Sequence, residues 1–274
     1  MRYERMGAGT GNGQARPARA VAEKAALLLT AALLFAIPRG AAEAITVCIL
    51  DSGCNLAGAQ GWNYIDDSSD LTDDLGHGTQ IYALLASCAP DARIVMLKCF
   101  DAEETFHSES VVRALYAAVD DYGADVVNMS WTVNEEDSAL REAVRYAFAK
   151  GAVLVASAGN LSFSTGIGKT VYPAGWDEVI GVGGVDLDPA GNPVPSLWYL
   201  SGPAVYVCAC GAYGAERGSS YASARVAGSL AAQLADCPAP GQCDAREMLR
   251  LAAEDLGAPG YDTVYGWGYI KSAE

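Results

Sequence analysis

From residue 45 onward, short and almost wholly apolar runs alternate with longer stretches whose apolar residues recur at helical spacing. The runs fall at 45–50, 93–99, 125–129, 152–156 and 179–183. A run that is apolar throughout, rather than at every second residue, fits a strand buried on both faces, as in a parallel sheet. Between the runs, residues 110–122 carry Val111, Val112, Leu115, Ala118 and Val119 on one face and stop at Gly123. Residues 136–150 place Leu140, Val144 and Ala147 at the same spacing before Gly151. Near the end, Asp244 followed by Glu247 has the spacing of a capping box ahead of Met248, Leu249 and Leu251. Strands alternating with helices of this length predict βαβ units: a mainly parallel central sheet covered by helices on both faces. No repeat or low-complexity linker divides residues 45–274, so one α/β domain is expected there.

Residues 1–44 stand apart. Residues 25–38 carry no charge and contain Leu27, Leu28, Leu29, Leu33, Leu34, Phe35 and Ile37. Arg16, Arg19 and Lys24 precede this run, and Ala42-Glu43-Ala44 follows it. That order reads as a signal peptide with a small-residue cleavage site. The run is short for a membrane span, which needs about 20 apolar residues; an uncleaved N-terminal anchor is the alternative. The expected location is secreted or extracytoplasmic.

Charge and cysteine usage narrow the partners. A formal net charge of −15 over 274 residues opposes a phosphate-binding surface, so no nucleic acid partner is expected. All eight cysteines lie beyond residue 44, and an even count outside the cytosol suggests disulfides. Cys237 and Cys243 bracket a turn-forming Pro-Ala-Pro-Gly-Gln and are the best single pair. Cys48 and Cys99 sit in strand-like runs and read equally well as small buried hydrophobes.

In an open parallel sheet, functional groups gather beyond the carboxyl ends of the strands. Asp51-Ser52-Gly53 follows the first run, and Gly76-His77-Gly78-Thr79 follows an acidic stretch from Asp66 to Asp74. Ser157-Ala158-Gly159-Asn160 follows the fourth run, and Gly218-Ser219-Ser220 opens a small-residue helix. An acid, an imidazole, an amide and a hydroxyl at element boundaries form the inventory of a Ser-His-Asp nucleophilic site with an oxyanion donor. Each also has a plain structural reading: a turn aspartate, a loop histidine, a turn asparagine and a helix-capping serine. No glycine-rich fingerprint follows the first strand, which disfavours a dinucleotide site.

With Asn128-Met129-Ser130, Tyr172-Pro173-Ala174 and the closing Tyr265-Gly266-Trp267-Gly268 added, residues 45–273 resemble the subtilisin-like serine peptidases. The order Asp, His, Ser along the chain is theirs. The resemblance implies a three-layer subtilisin-like fold, with Ser220 as nucleophile, His77 as general base, Asp51 as its orienting partner and Asn160 as oxyanion donor. It also implies a peptide or protein substrate docked as an added strand along Ser130, Trp131 and Thr132, with Gly159 beside it. Activity should fall as pH drops through the imidazole range. The chain departs from the family pattern at Ser219, where threonine is usual, at Ala224-Arg225, at Gln80 and at Trp131-Thr132. Trp131 either walls a subsite or fills core. A catalytically silent binding or processing partner on the same fold is the rival, and an esterase or acyltransferase using the same site is a third reading.

The chemistry requires no cofactor. Calcium sites are common in the family, and Asp66, Asp67, Asp70, Asp73 and Asp74 offer hard oxygen ligands; a solvated acidic loop explains them as well, and no metal is assigned. Family members commonly carry a folded pro-domain. Here the first strand starts directly after the expected cleavage site, which predicts unassisted folding, a trans-acting folding or inhibitory partner, or a tie to a reduced form of the family. The protein is expected to be a monomer.

Overall fold

The computed structural model describes residues 44–103, 106–161, 169–237 and 243–272. The signal or anchor segment expected at 1–44 lies almost wholly outside them. The central sheet runs β2-β3-β1-β4-β5-β6 and is parallel throughout. Its strands are β1 (Thr46–Asp51), β2 (Gln60–Asn63), β3 (Arg93–Lys98), β4 (Val126–Met129), β5 (Val153–Ser157) and β6 (Val179–Leu187). Two further strands flank β6: the short β7 (Pro193–Val194), antiparallel, and β8 (Val207–Cys210), parallel. All five apolar runs are strands, although 179–183 continues to Leu187 and 45–50 shifts by one residue to end on Asp51.

Alternate residues of each strand feed opposite faces, which gives the protein three layers. Val47 and Ile49 of β1 join Ile94 and Met96 of β3 on one face. There they pack against α1 (His77–Cys88), α4 (Ser219–Leu234) and α5 (Ala245–Ala252). Cys48, Leu50, Val95 and Leu97 face the other way, against α2 (Ser108–Asp120) and α3 (Ser138–Ala149). The two sequence-read helices start and stop within two residues of α2 and α3. As the capping-box spacing predicts, the Asp244 side chain accepts from the N–H groups of Arg246 and Glu247 and starts α5.

The small residues of α4 have a packing reason. A Cβ at Gly228 would lie 2.5 Å from the Cys88 Cβ, so α4 and α1 approach more closely than a larger side chain permits. Almost all of α4 from Ser219 to Ala231 is buried, which makes it a central helix rather than a surface one. A small hairpin, β9 (Ala212–Tyr213) with β10 (Glu216–Arg217), leads into it.

The best single cysteine pair read from the sequence is the one that bonds. Cys237 and Cys243 are bonded, while Cys48, Cys54, Cys99, Cys208 and Cys210 are buried thiols. Cys48 of β1 and Cys99, directly after β3, are wholly buried and behave as small apolar side chains.

β3 lies on one side of β1 and β4 on the other, so the chain reverses its direction of progress across the sheet at β1. That switch leaves a crevice beyond the carboxyl end of β1. Asp51 ends β1 there, and Ser130 follows the carboxyl end of the neighbouring β4.

Candidate active site

A cavity of about 340 Å³ opens at this end of the sheet. It is lined by Asp51, His77, Ser220, Asn160, Ser130, Trp131, Thr132 and Gly159, so the catalytic and substrate-binding candidates of the sequence come to one place.

Asp51 is 2% exposed, and its Oδ1 lies 2.8 Å from His77 Nδ1. The same oxygen accepts from the Ser52 N–H at 2.8 Å. Oδ2 is buried and accepts no hydrogen bond from the described residues. A carboxylate at Nδ1 fixes the imidazole tautomer with its proton on that nitrogen and leaves Nε2 as the basic one. His77 is the first residue of α1, and Gly76 before it takes a left-handed φ of 82°. The helix start sits directly on the β1 loop: a Cβ at Gly78 would meet the Gly53 carbonyl oxygen at 2.3 Å.

Ser220 lies in the first turn of α4, where backbone N–H groups lack intrahelical acceptors. Its hydroxyl donates to the Ser130 carbonyl at 2.8 Å. Underneath, the Ser130 Oγ bonds the Ser220 carbonyl at 2.9 Å and the Ser223 Oγ at 2.8 Å, and accepts from Asn128 Nδ2 at 2.9 Å. This buried network of hydroxyl and amide groups fixes the start of α4 against the end of β4. Ser219 and Ser220 do not cap the helix; the N-cap is Gly218, without a side-chain bond.

Asn160 follows β5 through Gly159, whose φ of 101° favours glycine. Its Oδ1 accepts from the Ser219 N–H at 2.8 Å and the Ser219 Oγ at 3.0 Å. With its oxygen held there, the amide presents Nδ2 toward Gly218, where a Cβ would stand 3.6 Å away.

The residues from Ser130 to Thr132 are not a strand; β4 ends at Met129, and the segment continues it as an open edge until Val133 pairs with Tyr172. Trp131 both walls the cavity and fills space. Its ring lies 5.6 Å from Phe100 and 5.8 Å from Phe106, and its Nε1 donates to the Leu50 carbonyl at 3.0 Å.

Several lining residues escaped the sequence reading. Phe100 and Phe106 frame the cavity beside Trp131; Phe100 follows the carboxyl end of β3, where the strand-end rule points. Arg217 lines it as well, its Nε 3.2 Å from Asp186 Oδ1. Tyr221 walls it next to Ser220, stacked 5.4 Å from Tyr213 and donating to Gln80 Oε1 at 2.6 Å. Burial, helped by Glu216, Tyr213 and Asp51, pushes the Tyr221 phenol up to about 12, so it stays a neutral donor. That pair gives a reason for the unusual Gln80.

Asp73 is not a solvated loop residue. It is buried, and its carboxylate is filled by donors of its own chain. His107 lies away from the lining, 2.8 Å from Asp101 at the N-cap of α2.

The sequence profile of the subtilase family matches residues 42–268. Subtilisin DY of Bacillus licheniformis is 31% identical over 248 residues, covering 83% of this chain and 89% of that one. Thermitase of Thermoactinomyces vulgaris is 32% identical over 220 residues, covering 68% and 75% of the two chains. Among solved structures, a lanthipeptide protease superposes with a TM-score of 0.70 at 25% identity, over 82% of this chain and 85% of that one. A fold, an open-ended cavity and a sequence profile thus agree, and the chain belongs to the subtilase family of serine endopeptidases.

Proposed function

We propose that this endopeptidase cleaves peptide bonds through an acyl-enzyme, with Ser220, His77, Asp51 and Asn160 as its working groups. The observation that carries this reading is the 2.8 Å contact between Asp51 Oδ1 and His77 Nδ1 at the mouth of the cavity that Ser220 and Asn160 also line. The Ser220 hydroxyl turns from the Ser130 carbonyl toward His77 Nε2, which takes its proton as Oγ attacks the scissile carbonyl. Asp51 stabilises the imidazolium from the Nδ1 side, and its burial strengthens that interaction. The carbonyl oxygen becomes an oxyanion that Asn160 Nδ2 and the Ser220 N–H receive. His77 then gives the proton to the leaving amine, and water repeats the sequence on the acyl-enzyme.

The peptide docks along the segment from Ser130 to Thr132 as an added strand, with Phe100, Phe106 and Trp131 as an adjoining aromatic part of the cavity wall. No cofactor takes part in these steps. Export is part of the proposal: residues 25–38 have the composition of a signal segment, and a relative from Bacillus subtilis bears the name minor extracellular protease Epr. This chain spans 38% of that relative's length.

The test is peptide hydrolysis by the wild type and by Ser220→Ala, His77→Ala and Asn160→Ala. The first two should lose activity by several orders of magnitude and the third by about 10²–10³ in kcat. Wild-type protein that is folded yet cleaves no peptide would favour a silent partner instead.

A further inference from the structure

Asp51 and His77 stand 26 residues apart on different elements, the end of β1 and the start of α1, yet meet at 2.8 Å. Something must hold these two ends in register, and the hydrogen bonds converge on Asp73, a carboxylate 4% exposed in the loop between them. Its Oδ1 accepts from the Ser52 Oγ at 2.8 Å and the Gly76 N–H at 2.8 Å. Its Oδ2 accepts from the Thr79 N–H at 2.7 Å and the Thr79 Oγ1 at 2.5 Å. Two of these donors belong to the β1 loop and the N-cap, and two to the first turn of α1, whose N-cap glycine offers no side chain of its own. The backbone of Asp73 is gripped as well, by Asn55 Oδ1 at its N–H (3.0 Å) and Asn55 Nδ2 at its carbonyl (2.8 Å).

Ser52 connects this strut to the chemistry. Its hydroxyl accepts from the Gly78 N–H at 2.9 Å and has one proton to give. Asp73 Oδ1 at 2.8 Å and Asp51 Oδ1 at 3.3 Å are both within reach of that proton, and the shorter contact takes it. If Asp73 could not accept it, the proton would turn to Asp51. An additional hydrogen bond to Asp51 would disperse its charge and weaken its hold on the imidazolium.

We infer that Asp73 is a positioning residue: it ties the end of β1 to the first turn of α1 and turns the Ser52 hydroxyl proton away from Asp51. The inference rests on the roles proposed above for Asp51 and His77. The other titratable groups facing this region are Cys54 in the β1 loop, Asp70 in the acidic loop, Lys98 of β3, which donates to the Thr72 carbonyl, Cys99, whose N–H donates to the Asp51 carbonyl, and Tyr221 of α4 beside His77.

The experiment measures kcat, KM and the pH profile of kcat/KM for the 274-residue chain and for Asp73→Asn, Ser52→Ala and the double variant, with His77→Ala as control. Asp73→Asn should lower kcat by about 10²-fold through misplacement of His77, with KM little changed. Its acidic limb should move to lower pH, and adding Ser52→Ala should bring that limb back. Ser52→Ala alone should lower kcat without moving the limb, which keeps the test intact where Asp73→Asn fails to fold. A wild-type kcat in Asp73→Asn or in Ser52→Ala overturns the inference. So does an acidic limb that stays in place in Asp73→Asn, or one that Ser52→Ala does not restore. Activity retained by His77→Ala would instead refute the proposed roles of His77 and Asp51, and the inference with them.

Discussion

The Ser219 side chain and main chain both donate to one oxygen of Asn160, at 3.0 and 2.8 Å, while the Ser219 Oγ accepts from the Gly159 N–H at 3.2 Å. The residue before the proposed nucleophile therefore sets which way the proposed oxyanion donor faces. An amide whose oxygen is pinned twice cannot flip without breaking both bonds, so Nδ2 is the end offered to the cavity.

Asn160→Ala should consequently lower kcat by about 10²–10³ with KM nearly unchanged. Ser219→Ala keeps the main-chain bond and should lose only about tenfold, while Ser219→Thr, which keeps the hydroxyl, should stay near wild type. Steady-state kinetics on one peptide substrate checks all three.

Acid stability should depend on Asp73. Burial pushes its carboxyl up, but donors from Thr79, Ser52 and Gly76 outweigh that and hold it below the usual carboxylate range. A lowered value in the folded state means stability that is fully present above the unfolded value, about 4, and lost as pH falls through the folded value. Asp73→Asn should unfold more easily by about 2 kcal/mol at neutral pH and show a flatter decline below pH ~4. Urea unfolding at several pH values reads both effects.

Three thiols should resist modification. Burial pushes Cys48 and Cys208 up to about 12, and burial together with Asp51 pushes Cys99 well above its ordinary value. The thiolate is the reactive form, so alkylation of native protein at pH ~8 should leave these three unlabelled and denaturation should expose them. Peptide mass mapping distinguishes the two states.

Gln80 and Tyr221 should behave as a pair. Gln80→Leu leaves a buried phenol without its acceptor and should cost about 1–3 kcal/mol. Tyr221→Phe in the same background should recover most of it, as measured by a double-mutant cycle of unfolding free energies.

The strands and their parallel arrangement were legible because burial on both faces leaves an unbroken apolar run, as 93–99 and 152–156 show. The four chemical groups were legible because each sits where a strand or helix begins or ends. What the sequence concealed depended on distance in the chain. Asp73 lay in a run of aspartates, and nothing local marks it as the one whose oxygens are filled by Ser52, Gly76 and Thr79. Tyr221 and Gln80 are 141 residues apart, and only the packing of α4 against α1 brings them together. β2, with its glycine and polar residues, lacks the apolar run that identified its neighbours. Cysteine parity could not say which further thiols pair, because buried strand positions accept a thiol as readily as a small aliphatic group.

The central claim is that Ser220 is an activated nucleophile in this site. Intact mass after treating the 274-residue chain with a fluorophosphonate tests it most directly, alongside Ser220→Ala and His77→Ala. One adduct is expected on the wild type, none on Ser220→Ala, and strongly slowed labelling of His77→Ala. An adduct that persists in Ser220→Ala, or its absence from folded wild-type protein, would contradict it.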